Sequence, residues 1–458
     1  MKRKLIALVL STAMAASLTA CAGGTSGNTT GSSAASSEPA ATSSKAEADT
    51  SAPSATGEDE NTLTVWCWDK SFNIYAMEEA GKIYQKDHPD FKLNVVEVKS
   101  DDIETKITTA VSAGDMSILP DIFLMQDNSY QKYVANFPEA FTVLNDSGVN
   151  FDDFADAKVA YSTVDGNHYG VPFDNGTTIT ALRTDILEQA GLTLDDFKDI
   201  TWSKFIELGK QVKEKTNTPL LTFEAGLSDL GTMMLQSCGS SMFKEDGSVN
   251  LVGNDVLKAA LENYKEMVDA GVLVEVTDWD QYIASMNNGT TAGVINGCWI
   301  IASIKGAEDQ SGKWGIVNFP KMDGFAEATN YSNNGGSSWA VSSNCKNKEL
   351  AFDLLKSTFA GSTELYDTIL PASGALATYL PAGESAVYAE PQEFFGGQPI
   401  FKDITDFASK VPSNITGAYY YDARDAIGDA VTNMIQNNSN IDDEIANAQS
   451  TVEFNMGG

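Results

Sequence analysis

The stretch IETKITTAVSAGDMSILPDIFLM, residues 103–125, holds a helical segment, a Gly-Asp turn and a buried apolar run at Ile122–Met125. Upstream, LTVWCWD (63–69) is a short β-prone run that ends in aromatic residues and an acid. A helical stretch follows to about Tyr84, and FKLNVVEV (91–98) then places Leu93, Val95 and Val98 on one inward side. Strand, helix, strand, helix, strand in this order predicts a parallel sheet with covering helices. The expected fold class is α/β.

Later segments keep the same logic. TWSKFIELGKQVKEKT (201–216) offers Thr201 as an N-cap, with Trp202, Phe205, Ile206 and Gly209 along one stripe. Helical spacing recurs at Ala351, Leu354, Leu355 and Phe359, and again at Ala423, Ala426, Ile427, Ala430, Val431 and Met434. A last amphipathic helix fits IDDEIANAQSTVEF (441–454), EDGS (245–248) marks a turn, and no internal repeat is visible.

The first residues are read apart from the fold. A basic MKRK head and a short apolar core make residues 1–20 a secretory signal. Its end, Leu18-Thr19-Ala20-Cys21, resembles the bacterial lipobox, which implies that Cys21 carries lipid and anchors the chain to a membrane. Residues 21–60, rich in Ser, Thr, Ala and Gly without an aromatic residue, are expected to form a flexible tether. The remainder, about 400 residues, exceeds what one core usually serves, so two lobes are expected.

Composition narrows the partners. Lys and Arg total 30 against 63 Asp and Glu, a formal charge of −33, so nucleic acid is not an expected partner. Two His residues and the four later cysteines, Cys67, Cys238, Cys298 and Cys345, show no metal-ligand spacing, and no metal site or cofactor is expected. A Cys67–Cys298 disulfide is open, with free buried thiols the preferred reading. No nucleophile elbow, HExxH, Walker loop or G-x-G-x-x-G occurs. His88 reads as solvated surface and His168 as structural. Paired carboxylates alone leave a lipid-anchored glycosidase open.

Flat rings and amide or carboxylate groups recur where strands end. Trp66, Trp68 and Asp69 close the first strand, and Gln126, Asp127 and Asn128 follow DIFLM. Phe173, Asp174 and Asn175 follow YGVP; Asn296 and Trp299 follow AGVI; Asn333, Asn334 and Trp339 surround Gly335 and Gly336. Loops at the carboxyl ends of strands form the ligand crevice of α/β sheets. Sugars suit this mixture, because their C–H faces stack on rings and their hydroxyls pair with planar amides and carboxylates.

In their order, AGDMSILPDIFLM, DGNHYGVPFDNGTTITALRTDILEQAGL, TWSKF, MNNGTTAGVINGCW, KWGIVNFP and GGSSWAVSSNCKNKELAFDLLK resemble the extracellular solute-binding proteins of ABC importers, the carbohydrate-binding family that includes maltose-binding protein. The likeness runs over nearly all of 61–458. It implies two lobes, each a mainly parallel sheet flanked by helices, with crossings near 171, 317 and 344: residues 61–171 with 317–343, and 172–316 with 344–458. It also implies a monomeric, non-enzymatic receptor that delivers a mono- or oligosaccharide to membrane permease subunits. Trp299 takes the place of a sugar-stacking tryptophan, and a second stacking ring falls near Tyr420, beside Tyr419 and Tyr421, with Arg424 one turn on. Trp66 or Trp68 with Asp69 takes the first-lobe position of aromatic plus acid. Leu182-Arg183-Thr184 and Tyr420 depart from the maltose-type pattern, so maltose itself is not implied. Adjacent tyrosines leave a ferric-ion receptor as a further alternative.

Overall fold

The computed structural model describes residues 59–457; the signal segment, Cys21 and nearly all of the tether lie outside the described residues. The chain starts with β1 (Thr62–Cys67), α1 (Tyr75–Tyr84), β2 (Lys92–Glu97), α2 (Ser100–Ala113), β3 (Ile122–Gln126) and α3 (Asp127–Asn136). Gly114 ends α2 in the left-handed region, and Asp115 accepts from Ser117 N, which fixes the turn before β3. The short α4 (Asp156–Val159) and the hairpin of β4 (Thr163–Val164) and β5 (Asn167–His168) lead to β6 (Val171–Arg183).

Then come α5 (Thr184–Gln189), α6 (Trp202–Thr216), β7 (Leu221–Glu224), α7 (Asp229–Ser237), α8 (Asp255–Asp269), β8 (Leu273–Val276) and α9 (Trp279–Asn287). After them β9 (Gly293–Gly297), α10 (Ile301–Lys305), β10 (Trp314–Val317) and β11 (Asn333–Val341) return the chain to the crossing. The chain finishes with α11 (Lys348–Ser357), α12 (Thr363–Ser373), α13 (Leu380–Gly383), α14 (Ile400–Ala408), α15 (Tyr420–Gln436) and α16 (Ile441–Asn455). Thr201 caps α6 by accepting from Lys204 N, and the stripe Trp202, Phe205, Ile206 and Gly209 is buried, as the spacing requires.

One sheet serves both lobes, in the order β10-β6-β11-β3-β1-β2, with β9 also on β6. β1 runs parallel to β2 and β3, the arrangement expected for the first lobe. β11, β9 and β10 instead run antiparallel to β6, because a strand that comes back across the crossing must reverse direction. β7 and β8 form a separate parallel pair in the second lobe.

β6 is the shared strand. Its first half, to Thr177, pairs with β11; its second half, from Thr178, pairs with β9 and β10. The pairing with β11 shifts register between Asn333 and Gly336 and again between Ser337 and Ser338.

The apolar clusters correct the expected boundaries. Val317, Phe319 and Met322 belong to the second-lobe core, so the chain re-enters the first lobe near Asn333 and not near 317. Ala351, Leu354, Leu355, Phe359 and Tyr366 join Val65, Ile122 and Trp339 in the first-lobe core, so α11 and α12 cover the first lobe, while α14, α15 and α16 pack in the second-lobe core as expected. The reason is where β11 stops: Val341 lies opposite Ile122 of β3, deep in the first lobe, and the helices that follow cover the nearest sheet face. All four described cysteines are buried and unpaired.

Candidate functional site

The carboxyl ends of the parallel strands supply the chemistry in both lobes. In the first, β1 runs into Trp68 and Asp69, and β3 runs into Gln126 and Asn128. In the second, β7 ends at Glu224 ahead of Asp229, which opens α7, and β8 ends ahead of Asp278 and Trp279, which open α9. Two contacts join the walls. The Tyr421 hydroxyl donates to Gln126 Oε1. Lys132 Nζ donates to Asp422 Oδ2 at 2.8 Å.

Polar atoms without hydrogen-bond partners occur on both walls. Asn128 Oδ1 is buried and accepts no hydrogen bond, two residues from Gln126. On the other wall the Arg424 guanidinium lies 4.6 Å over the Tyr421 ring and 3.7 Å from Asp229 Oδ1. Arg424 Nε and Asp229 Oδ2 are both buried without a hydrogen bond, and Nε has only a 3.5 Å approach to Asp425. Burial, then the carboxylates of Asp278 and Asp229, hold the Glu224 carboxyl above its usual range. Buried groups of this kind are costly unless something bonds them.

Trp299 stands where the two cores meet, half-buried and packed against both. Its Nε1 donates to Asn334 O at 2.9 Å; Asn334 Nδ2 donates to Asn296 Oδ1 at 2.9 Å, and Asn296 Nδ2 to the Tyr282 hydroxyl at 3.0 Å. The glycine two residues before it is a steric requirement. A Cβ on Gly297 would fall 2.2 Å from Trp299 Nε1 and 2.6 Å from Asn334 O, so only glycine lets the indole fold back onto the crossing.

Beneath the crossing lies a buried charged cluster. Lys158 Nζ pairs with Asp127 Oδ2 and donates to Ser337 O at 2.9 Å; Ser338 Oγ donates to Asp127 Oδ1 at 2.9 Å, and Ser337 Oγ to Asp174 Oδ1. The ammonium pairs with Asp127, and its charge also reaches Asp174. Burial pushes the Asp174 carboxyl up from 3.8 to about 6, against the pull of Lys158. Such a group favours the fold fully below its unfolded value near 3.8, and that contribution is lost as pH rises through about 6. At about 1.4 kcal/mol per unit, the loss is about 3 kcal/mol by pH 7. Asp174→Asn is therefore expected to stabilise the protein by about 2–3 kcal/mol at pH 7 and hardly at all near pH 4. Denaturant melts at the two values test this; equal effects at both, or a loss at pH 7, would show that the ionised carboxylate is tolerated.

Several expected site residues go elsewhere. Trp66 lies in a first-lobe core with Phe123 and Tyr130 and is 7% exposed; it cannot be a ligand platform, whereas half-buried Trp68 lies at the rim of that core. Phe173 and Trp339 are 0% exposed and pack on each other and on Phe359, because β6 and β11 turn those positions toward the first-lobe core. Tyr420 is buried in the second-lobe core with its ring edge-on to Tyr421, and it is Tyr421 that reaches Gln126. Asp69 caps the turn after β1 through Ser71 N. Asn296 and Asn334 brace Trp299, and Gly336 pairs with Asn175 in the crossing strands. Gln126 meets Tyr421, Arg424 approaches Asp229, Trp299 packs on Trp279 beside Tyr282, and Lys158 pairs with Asp127; the sequence reading passed over Asp229, Trp279, Tyr282 and Lys158. Gln126 closes β3, whereas Asp229 and Trp279 open the helices that follow β7 and β8, so the strand-end rule points to them less directly.

Comparison with known proteins agrees with this architecture. Residues 79–395 match the family model described as bacterial extracellular solute-binding protein. A lactose-binding protein of Rhizobium radiobacter is 40% identical over 351 residues, 77% of this chain and 83% of that protein. An arabinooligosaccharide-binding protein of Halalkalibacterium halodurans is 23% identical over 401 residues, 84% of this chain and 87% of that one. Among solved structures, the ABC transporter associated binding protein of B. animalis subsp. lactis Bl-04, in complex with β-1,6-galactobiose, superposes with a TM-score of 0.74 at 20% identity, over 87% of this chain and 98% of that one. Two lobes on one shared strand, strand ends facing across a crossing, and a family match over most of the folded region lead to one conclusion: the chain belongs to the bacterial extracellular solute-binding protein family.

Proposed function

We propose that this protein captures a neutral mono- or oligosaccharide between its lobes and delivers it to the membrane subunits of an ABC importer, without catalysis. The observation that carries this reading is the set of unpartnered polar atoms on the two walls that the Gln126–Tyr421 contact joins, Asn128 Oδ1 from one wall and Asp229 Oδ2 and Arg424 Nε from the other. A sugar hydroxyl both donates and accepts, so one ligand can satisfy acceptors and donors at once. Carboxylates outnumber cations on this second-lobe wall (Glu224, Asp229, Asp278 and Asp425 beside Arg424), which suits an uncharged ligand better than an acidic one. The lactose- and arabino-oligosaccharide-binding relatives support a saccharide. Contacts made by both lobes favour the closed form, and that form would dock on the permease. Lipid on Cys21 would hold the receptor at the outer face of the cell membrane.

A thermal-shift series with lactose and β-1,6-galactobiose tests the ligand class. The melting temperature is expected to rise with sugar concentration, since a ligand of the native state stabilises it by mass action. Released monosaccharide in the same samples would point to a glycosidase. Incorporation of labelled fatty acid, lost in Cys21→Ala, tests the anchor.

A further inference from the structure

Trp279 opens α9 directly after its cap Asp278, whose side chain accepts from Gln281 N at 2.9 Å. Its ring rests on two others, Tyr282 at 5.2 Å and 31°, and Trp299 at 5.8 Å and 41°. Those supports are themselves held: Tyr282 is 2% exposed and accepts from Asn296, and Trp299 is tied to Asn334 O. Trp279 nonetheless keeps 39% of its surface in water. An indole packed in this way has its orientation set before a ligand arrives, which lowers the cost of using it for binding.

We propose that Trp279 and Trp299 form a bent aromatic platform that takes two adjoining sugar rings, so that the ligand is a disaccharide or longer. This rests on the carbohydrate reading above. Planes inclined at 41° cannot both lie flat against a single pyranose, which offers one C–H face to one plane. Two pyranoses joined through a glycosidic oxygen are separate plates, mutually tilted, and can cover one indole each. A monosaccharide would cover one and leave the other in water. Trp279 thereby selects for ligand length, and Trp299 serves every ligand.

Calorimetric titration of the full-length protein with galactose, lactose and β-1,6-galactobiose tests this, using wild type, Trp279→Ala and Trp279→Phe. In Trp279→Ala the disaccharides are expected to weaken about tenfold while galactose, if it binds wild type measurably, shifts by less than about twofold; Trp279→Phe should recover most of the loss. Galactose that binds wild type as tightly as the disaccharides overturns the proposal. So does a Trp279→Ala protein whose disaccharide affinities are unchanged, or fall no more than that for galactose. These failures leave the carbohydrate reading standing. That reading fails separately if wild type binds none of a wide panel of neutral mono- and oligosaccharides.

Discussion

Trp299→Ala is expected to lower saccharide affinity tenfold or more. Tenfold corresponds to about 1.4 kcal/mol, which lies within what one aromatic face contributes through contact and buried area together. The structure adds a second consequence. Trp299 is also a wedge between the two cores, and its Nε1 satisfies Asn334 O at the crossing. Alanine would leave that carbonyl without its donor, at a cost of about 1–3 kcal/mol, so the melting temperature should fall as well. Trp299→Phe separates the two effects: it keeps a flat face and loses the N–H. Affinity measured well below the melting point should rank wild type, Phe, Ala. If Ala binds as tightly as wild type, Trp299 is not in contact with the ligand.

The second large effect is expected at the shared strand. A Cβ on Gly176 would lie 2.1 Å from Asn334 O and 2.5 Å from Asn334 C, both main-chain atoms that no rotamer change can move. Gly176→Ala must therefore push β6 and β11 apart where both lobes depend on them. Overpacking against side chains typically costs about 1–3 kcal/mol, and against backbone the cost should reach or pass the upper figure. Gly383→Ala is the control, since a Cβ there meets nothing within 4 Å and alanine is the better helix former. Denaturant melts should show a marked loss for the first and no loss for the second. Equal stability of the two variants would mean that the strands yield easily at this point.

Much of the fold was legible because period and punctuation are local properties. The β1–β3 alternation, the Thr201 cap and the buried stripes of α6, α11 and α15 all follow from spacing alone. Which lobe owns α11 and α12 was not legible, because it depends on where β11 happens to stop, beside Ile122. The site was half legible. Proximity to a strand end singled out Gln126, which meets Tyr421, and Trp299, which packs against both cores, but it does not say which face of the sheet a ring occupies. Phe173 and Trp339 therefore looked like Trp299 in sequence and turned out to be interior. Asp229 and Trp279 sit after short strands of four residues, whose ends carry a weaker sequence signal.

The strand shared by both lobes has one more implication. A hydrogen-bonded ladder that continues from β2 through β11 and β6 to β9 resists shear and sideways slip, since either would break pairs on both sides together. It yields most readily where the register of β11 is already irregular, between Asn333 and Ser338. The molecule should accordingly open as a book does, about a single spine. Under the proposed function, a bound molecule would have one degree of freedom to arrest, and a membrane partner would sense occupancy by gauging one angle.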